Sequence, residues 1–239
     1  LNIDGLFNKC YANFAMAGNG GANGDCDIDG IDGGTSGFVR QMFNANELPT
    51  DEAICGWGDD GIAGFCYNSY NATNPMLTGL YARITTGIAY CNQYLAEAGD
   101  QDATKLAEVR FLRAYEYYSL MDGWGNIPFT LQPLTKPERH TRAQTYEWLE
   151  KELLEIEPSL SEAKAKKSTD EGYGRVDKAA CWLLLSRLYL NAEVYTGTPQ
   201  WEKAKEYAKK VMDSSYKLNT QSVNGWSAYQ MLFMGDNGE

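Results

Sequence analysis

The sequence predicts a mainly α-helical fold. Over several stretches of the chain, apolar residues recur every three or four positions, a spacing that places them on one face of a helix. The alternating pattern of a strand is confined to a short segment near residues 127–131. Eight glycines in residues 18–37 and the prolines Pro128, Pro133 and Pro137 predict long irregular loops and links between the helices.

The N-terminal part is predicted to combine one helix with loops. Residues 1–17 are predicted to form a helix that is stopped by Gly18. Its apolar side consists of Leu6, Tyr11, Phe14 and Ala15. Residues 18–37 are predicted to be a loop, because a packed face cannot order so much backbone freedom. Residues 38–70 are predicted to be irregular or weakly helical, with Trp57 in a glycine-flanked turn.

Two strong helices are predicted next. One begins at Pro75, since proline suits the first turn of a helix, and ends at Gly99. The other follows Asp102, whose side chain can cap the first turn, and runs to residue 121. Gly123 and Gly125 are expected to end it. Because the connection is short, the two helices should form an antiparallel hairpin. Their apolar stripes consist of Met76, Leu80, Ile84, Ile88, Cys91 and Leu95 in the first and Leu106, Val109, Leu112, Arg113, Tyr117 and Leu120 in the second.

The remaining helices are predicted at 142–156, at 177–193 after the N-cap candidate Asp177, and at 198–213. The positions expected to point inward are Trp182, Leu183, Leu185, Leu188 and Leu190 in the second and Trp201, Ala204, Tyr207, Ala208 and Val211 in the third. The last two helices span roughly 34 residues with an aromatic start and small alanine positions, which resembles a tetratricopeptide hairpin. Such hairpins stack into scaffolds that present loops and faces to partners.

Composition excludes several classes of function. Nucleic acid and anionic membrane surfaces attract basic faces, so the net charge of −11 makes neither an expected partner. No run of about 18 apolar residues is present, so no membrane-spanning helix is expected. The six cysteines include no C-x-x-C pair, and with a single histidine a structural zinc site is not expected. We expect buried free thiols, although an oxidising compartment would permit disulfides.

The sequence contains no catalytic signature. It lacks G-x-S-x-G, H-E-x-x-H, G-x-x-x-x-G-K-[ST] and the Rossmann fingerprint. Asp59 and Asp60 are adjacent, so their carboxylates point in different directions and make a poor acid/base pair for glycoside hydrolysis. His140 is expected to be a surface residue in a proline-flanked link. We therefore expect a protein that is not an enzyme and needs no cofactor.

The aspartate-rich segment DCDIDGIDG at 25–33 leaves two interpretations open. Alternating carboxylates and glycines suit a hard cation such as calcium. The segment nevertheless lacks the EF-hand spacing and its terminal glutamate. A solvated loop is the simpler hypothesis, and a calcium site is the alternative.

The loops at 25–40 and 54–61 carry the residues best suited to bind a ligand. Trp57 lies between two glycines, so its ring can stand out from the backbone. Sugar rings pack their C–H faces on such a ring, while their hydroxyls need planar polar partners. The alternative is that Trp57 is a core tryptophan in an irregular region. The candidate polar partners are Arg40, Asp32, Asp59 and Asp60.

The segment AEVRFLRAYEYYSLMDGWGNIPF at 107–129 resembles the signature of the SusD-like (RagB/SusD) family of nutrient-binding outer-membrane lipoproteins. GRVDKAA at 174–180 and WEKAKEYA at 201–208 resemble the next segment of that family. The helix that begins after Asn74 and reaches CNQYL at 91–95 fits as well. The resemblance covers essentially the whole chain.

The resemblance implies a helical tetratricopeptide-type scaffold (an α-α superhelix) with long irregular loops, of which 1–239 is the N-terminal part and the C-terminal half is absent. Residues 1–74 would hold the N-terminal helix and glycan-facing loops, 75–213 the helical-hairpin scaffold, and 214–239 the start of the C-terminal part. It also implies an N-terminal lipidated cysteine, not in this chain, that holds the protein on the outer membrane facing outside. The implied partner is a SusC-like TonB-dependent transporter.

Within the family, residues 27–37, Arg40 and 50–57 are most similar to the starch-binding founding member. The resemblance implies that Trp57 belongs to an aromatic arc and that Arg40 bonds glucose hydroxyls. Where that pattern has an amide, this chain has Asp60, which accepts hydrogen bonds but cannot donate them. We therefore expect a non-catalytic protein that binds starch or malto-oligosaccharide. The alternatives are a protein-interaction scaffold with no glycan site in this portion and a different glycan.

Overall fold

A computed structural model, which describes residues 2–18, 26–99 and 102–235, confirms the mainly α-helical fold. The chain divides into two compact units, Leu1–Thr145 (the N-terminal unit) and Tyr146–Glu239 (the C-terminal unit). The helices of the N-terminal unit are α1 (Ile3–Ala15), α2 (Phe38–Glu47), α3 (Ile62–Cys66), α4 (Pro75–Glu97) and α5 (Ala103–Trp124). Those assigned to the C-terminal unit are α6 (Arg142–Ile156), which begins just before it, α7 (Lys178–Leu190), α8 (Ala192–Thr196), α9 (Trp201–Met212) and α10 (Ala228–Met231).

Polar side chains just before the first turn begin several of these helices. Asp102 accepts a hydrogen bond from the Thr104 amide at 2.8 Å, and Asp177 accepts one from the Ala180 amide at 3.1 Å. Each bond satisfies an N–H that has no partner within the helix. Both caps are confirmed as predicted, and α4 begins at Pro75 as predicted.

Helix α5 is buried on most of its sides. It contacts α1, α4 and strand β1 (Ile127–Phe129). The predicted stripe is largely buried, but Glu108, Glu116 and Ser119 are buried too, so one amphipathic face does not describe this helix. The helix was predicted to end at residue 121, but it continues to Trp124. Gly123 lies inside the helix, and Gly125, with φ of +74°, follows the last helical residue.

Residues 38–70 were predicted to be irregular or weakly helical, and within them α2 is a regular helix of ten residues. Its buried residues are Phe38, Gln41 and Asn44, so two of the three buried positions are polar. Gln41 donates hydrogen bonds to the Thr35 carbonyl and, at 3.0 Å, to the Met76 sulfur. Val39 and Phe43, one turn apart, are both exposed, so the apolar residues of this helix do not mark its buried face.

The predicted inward face of α1 was correct only in part. Leu6, Tyr11 and Phe14 are half-buried, but Ala15 is exposed. The buried residues are Phe7, Cys10 and Asn13. The helix ends at Ala15, before Gly18. Residues 26–37 form turns and bends, as predicted for that part of the loop, and residues 19–25 of the predicted loop lie outside the described residues.

In the C-terminal unit, α7 packs on α9 as the predicted hairpin. Helix α7 ends at Leu190, earlier than predicted, because the Asn191 side chain donates to the Arg187 carbonyl and α8 starts as a separate helix. Ala204 and Tyr207 are buried, but Trp201, at the first position of α9, is 58% exposed. Leu183 and Leu190 are likewise exposed, since consecutive residues of a helix are about 100° apart and cannot all face one neighbour.

A two-stranded antiparallel sheet joins β1 to β2 (Glu138–His140), with Ile127 opposite His140. The strand signal near 127–131 is confirmed, whereas β2 was not predicted. His140 is half-buried, and its ring stacks on Phe129 with centroids 4.0 Å apart. The expectation of a simple surface histidine was therefore wrong.

All six cysteines are unpaired thiols, and Cys10, Cys91 and Cys181 are buried. Burial raises the pKa of Cys181 to about 12. No helix in the described ranges is both long and apolar enough to cross a membrane.

Gly87 on α4 is predicted to be essential for helix packing. A Cβ atom there would overlap the Asn13 amide and the Glu116 carboxyl group, whose Cδ would lie 2.7 Å away. We expect Gly87→Ala to lower the free energy of unfolding by about 2 kcal/mol in urea denaturation. The matched control is Gly79→Ala on the same helix, where the nearest heavy atom is 4.0 Å away. The control should change stability by less than about 1 kcal/mol. Equal stability of the two variants would contradict this packing.

Candidate functional site

A fully buried arginine holds the loop that leads to the candidate site. Arg83 lies on α4 with 0% of its surface exposed. Its guanidinium donates to Asp27 at 2.7 Å, to the Ser36 carbonyl at 3.0 Å and to the Ala17 carbonyl at 3.2 Å. Both ends of the glycine-rich loop are therefore bonded to one side chain. These bonds hold the loop against α4.

Asp27 balances the charge of Arg83. One of its oxygens accepts from Arg83, and the other accepts from Lys9 at 2.6 Å and from the Tyr90 hydroxyl at 3.2 Å. Burial raises the pKa of Asp27, but hydrogen bonds and charges from Lys9 and Arg83 outweigh burial and hold it below its usual value. Burial and the nearby Asp27 raise the pKa of Tyr90 to about 12.

These contacts bear on the calcium hypothesis for residues 25–33. Both carboxylate oxygens of Asp27 already have protein partners. Asp25 lies outside the described residues. Within the described part of the chain, no three His, Cys, Asp or Glu side chains are placed to hold a metal ion. The calcium site stays an untested expectation.

A second buried group, Glu116 on α5, connects to Arg83 through Asn13. The Asn13 amide donates to Glu116 at 2.7 Å, and its oxygen accepts from Arg83 at 3.2 Å. Burial raises the pKa of Glu116 well above its usual value, although Asn13 and Arg83 act in the opposite direction. Its second oxygen has no hydrogen-bond partner among the residues that the structure describes. A neutral carboxyl group fits this position, because an unpaired buried charge is costly.

The loop held by Arg83 positions Arg40 at the start of α2. The Arg40 guanidinium donates to the Gly34 carbonyl and, at 3.1 Å, to Asp59. It also lies over the Trp57 ring, 5.0 Å from the centroid. The structure thus joins three of the predicted residues, Arg40, Trp57 and Asp59, in one cluster.

The Trp57 ring is 68% exposed, so the core alternative is wrong and the exposed ring is confirmed. Because Arg40 covers one face, the other face is available for a flat apolar ligand. A cavity of about 190 Å³ adjoins Arg40 and is lined by backbone of the glycine-rich loop and the end of α1.

Asp60 and Asp32 are exposed. Neither carboxylate makes a hydrogen bond to another described residue, so the structure does not join them to the Arg40 cluster by direct contact. Asp60 follows Asp59 in the chain, and the Asp32 carbonyl accepts from the Thr35 amide at 3.3 Å in the turn that also presents Gly34. Both carboxylates are therefore open to solvent near the elements of the cluster.

The sequence interpretation missed the residues that support the site, Arg83, Asn13 and Glu116. One signal was present. Arg83 follows Leu80 by three positions, a spacing that places it on the predicted apolar side of α4, where a charge needs a partner.

Comparison with known proteins identifies relatives. A SusD-like family model described as "Starch-binding associating with outer membrane" matches residues 51–190. The starch-binding protein SusD of Bacteroides thetaiotaomicron is 40% identical over 241 residues, which cover 98% of this chain and 42% of that protein. This chain therefore spans less than half the length of that relative.

Solved structures share the fold. A SusD homolog from Bacteroides thetaiotaomicron has a TM-score of 0.67 at 17% identity and covers 89% of this chain and 40% of its own. Surface glycan-binding protein A from Bacteroides uniformis has a TM-score of 0.66 at 24% identity, and the match covers 92% of this chain and 47% of that protein. Surface glycan-binding protein A from Bacteroides thetaiotaomicron, in complex with laminarihexaose, has a TM-score of 0.65 at 18% identity. That match covers 95% of this chain and 47% of that protein. At these identities the likeness establishes the fold alone.

Glu116 is predicted to make stability depend on pH. The folded state keeps the proton at pH values where the unfolded state has lost it, so this contribution to stability falls as pH rises above 4.5 toward the raised pKa. We expect Glu116→Gln, which keeps an acceptor for Asn13, to remove a slope of up to about 1.4 kcal/mol per pH unit. Urea denaturation between pH 5 and pH 8 measures it. Glu52→Gln, at an exposed carboxylate, should retain the wild-type slope, and an unchanged slope in Glu116→Gln would contradict the assignment.

Proposed function

This chain belongs to the SusD-like family, and on that premise we propose that it is part of a non-catalytic cell-surface protein that binds starch or malto-oligosaccharide. The observation that carries the proposal is the Trp57 ring, 68% exposed and covered on one face by Arg40. A pyranose ring packs its C–H face on the open side of such a ring.

The polar groups around Trp57 suit sugar hydroxyls. The Arg40 guanidinium offers donors in one plane, and Asp59 holds it there by an ion pair at 3.1 Å. Asp60 and Asp32 provide exposed acceptors. We assign stacking to Trp57, hydroxyl binding to Arg40, Asp60 and Asp32, and orientation of Arg40 to Asp59.

The choice of starch rests on the relative that is 40% identical and is named a starch-binding protein. A laminarin-binding SusD-like protein shares the fold at 18% identity. At that identity its ligand cannot be assigned to this chain. With one stacked ring and few hydrogen bonds, we expect Kd values from about 10 µM to about 1 mM.

The carboxylates at this site do not support hydrolysis of a glycosidic bond. Paired carboxylates cleave a glycosidic bond when one is held protonated in an apolar environment. Here Asp59 is ion-paired with Arg40 and Asp60 is exposed to water. We therefore propose binding without catalysis.

We place the whole protein on the outer membrane, facing outside and held by an N-terminal lipid. There it would pass its ligand to a SusC-like TonB-dependent transporter. The family description, which includes association with the outer membrane, supports this placement.

A protein-interaction scaffold is the second candidate function. Exposed apolar side chains on the helices of the C-terminal unit favour it, among them Leu190, Val194 and Met212. This function would be supported over the first if a transporter co-purified with both the wild type and the Trp57→Ala variant and the wild type bound no glycan.

Replacement of Trp57 tests the proposal directly. Because Trp57→Ala removes the stacking face, we expect the Kd of the natural full-length protein for maltoheptaose to rise at least about tenfold in isothermal titration. Trp201→Ala, at a tryptophan that is 58% exposed in the C-terminal unit, is the matched control and should bind as wild type. Unchanged affinity in Trp57→Ala would refute the site.

Replacement of Asp60 tests whether this carboxylate binds sugar hydroxyls. Asp60→Asn adds a donor that a carboxylate lacks, so we expect about threefold tighter binding of maltoheptaose. Asp213→Asn, at a carboxylate that is 63% exposed in the C-terminal unit, controls for the change in net charge. If both variants bind as wild type, Asp60 does not contact the sugar.

A further inference from the structure

A second aromatic cleft lies in the N-terminal unit, where α5 ends at Trp124. The Trp124 ring borders two cavities of about 250 Å³ each, and Leu77 of α4 lines both. The first cavity also contains Tyr81 and Thr78. We call the two cavities together the Trp124 cleft. The second cavity is lined further by Met42, Asn46, Phe65, Tyr70, Ser119 and Asp122.

Aromatic rings form much of the wall of the Trp124 cleft. Trp124 is half-buried and meets Tyr81 edge to face, with centroids 5.5 Å apart. Tyr70 is 46% exposed and packs on Phe65 at 5.2 Å. The inner ring of each pair supports the outer one, so these rings are fixed in place and still partly open to solvent.

Polar groups at the rim are of the kind that hydroxyls recognise. The hydroxyls of Tyr70 and Tyr81 and the indole N–H of Trp124 have no hydrogen-bond partner among the described residues, so each can donate to a ligand. The Asn46 amide nitrogen donates to the Met42 carbonyl at 2.7 Å, which fixes the amide and leaves its oxygen as an acceptor. Asp122 adds a carboxylate.

We propose that the Trp124 cleft is a second carbohydrate-binding site, which takes neutral hexopyranose units. Stacking surfaces and both donors and acceptors converge there, as a sugar requires. No lysine or arginine lines either cavity within the described residues, and the chain carries a net charge of −11, so acidic sugars are disfavoured. The free donors favour a sugar over a quaternary ammonium cation, which can accept none of them.

The Trp124 cleft is separate from the Trp57 cluster, although both use α2. Arg40 belongs to the Trp57 cluster, and Asn46 lines the cleft six residues later on α2. In a helix this is about 9 Å along the axis and about 120° around it. A long polymer that engages both sites gains avidity.

The methyl groups of alanines that line the cleft can report ligand binding directly. Ala72 lines the first cavity and Ala45 the second, while Ala192 is buried in the C-terminal unit. With methyl-labelled alanine in the natural full-length protein, we expect the Ala45 and Ala72 resonances to shift on titration with maltotriose. The Ala192 resonance should stay in place. The Trp57→Ala variant should give the same shifts, which separates this site from the Trp57 site.

Substitutions in the cleft complete the test. Trp124→Ala in the Trp57→Ala background should abolish the shifts, and Tyr70→Ala, at a more exposed ring, should weaken binding about fivefold without affecting folding. Trp124→Phe should restore part of the affinity. Resonances of Ala45 and Ala72 that do not move at saturating maltotriose overturn the proposal, and so do shifts that disappear in Trp57→Ala alone.

Discussion

A positive charge inside a protein must be balanced by partners that replace its lost water, and Arg83 imposes this constraint on the N-terminal unit. Its guanidinium is inaccessible to solvent, and its bonds reach α1 through Asn13, the glycine-rich loop through Asp27 and Ser36, and α5 through Glu116 beyond Asn13. Removal of one partner of such a group costs about 3–5 kcal/mol, because the other is left buried and uncompensated. Three helices and the loop that ends at Ser36 are thereby fixed relative to one another.

The binding cluster depends on this support. The Gly34 carbonyl that accepts from Arg40 and the Thr35 carbonyl that accepts from Gln41 lie just before Ser36, whose own carbonyl is held by Arg83. The start of α2 is therefore tied to α4 through backbone groups of the loop. Arg40 is held over Trp57 because its guanidinium bonds both the Gly34 carbonyl and its counterion Asp59. Rigid presentation of a few exposed groups reduces the entropy that a binding event must overcome.

Much of the scaffold could be predicted from local sequence, whereas the support of the site could not. The caps Asp102 and Asp177 and the exposed Trp57 follow from chemistry within a few residues, and they were predicted correctly. Helix α2 was not predicted as a regular helix because its buried face carries two amides. Gln41 bonds the Thr35 carbonyl outside the helix, and Asn44 bonds Gln41. Two ion pairs join residues that are far apart in sequence, Arg40 with Asp59 and Arg83 with Asp27. A periodic sequence pattern cannot predict such pairs. The roles in binding of all five candidate residues stay predictions: Trp57, Arg40, Asp59, Asp60 and Asp32.

The stacking of Arg40 on Trp57 has a kinetic consequence. A tryptophan with both faces open can take part in a sandwich that encloses a sugar, but here the Arg40 guanidinium lies over one face. Under the proposed function, a glucan on the remaining face would keep its opposite side in water and could leave without any movement of the protein. Such a surface favours rapid dissociation over long residence. For the proposed capture and transfer of a polymer, this one-sided surface would serve better than a closed pocket.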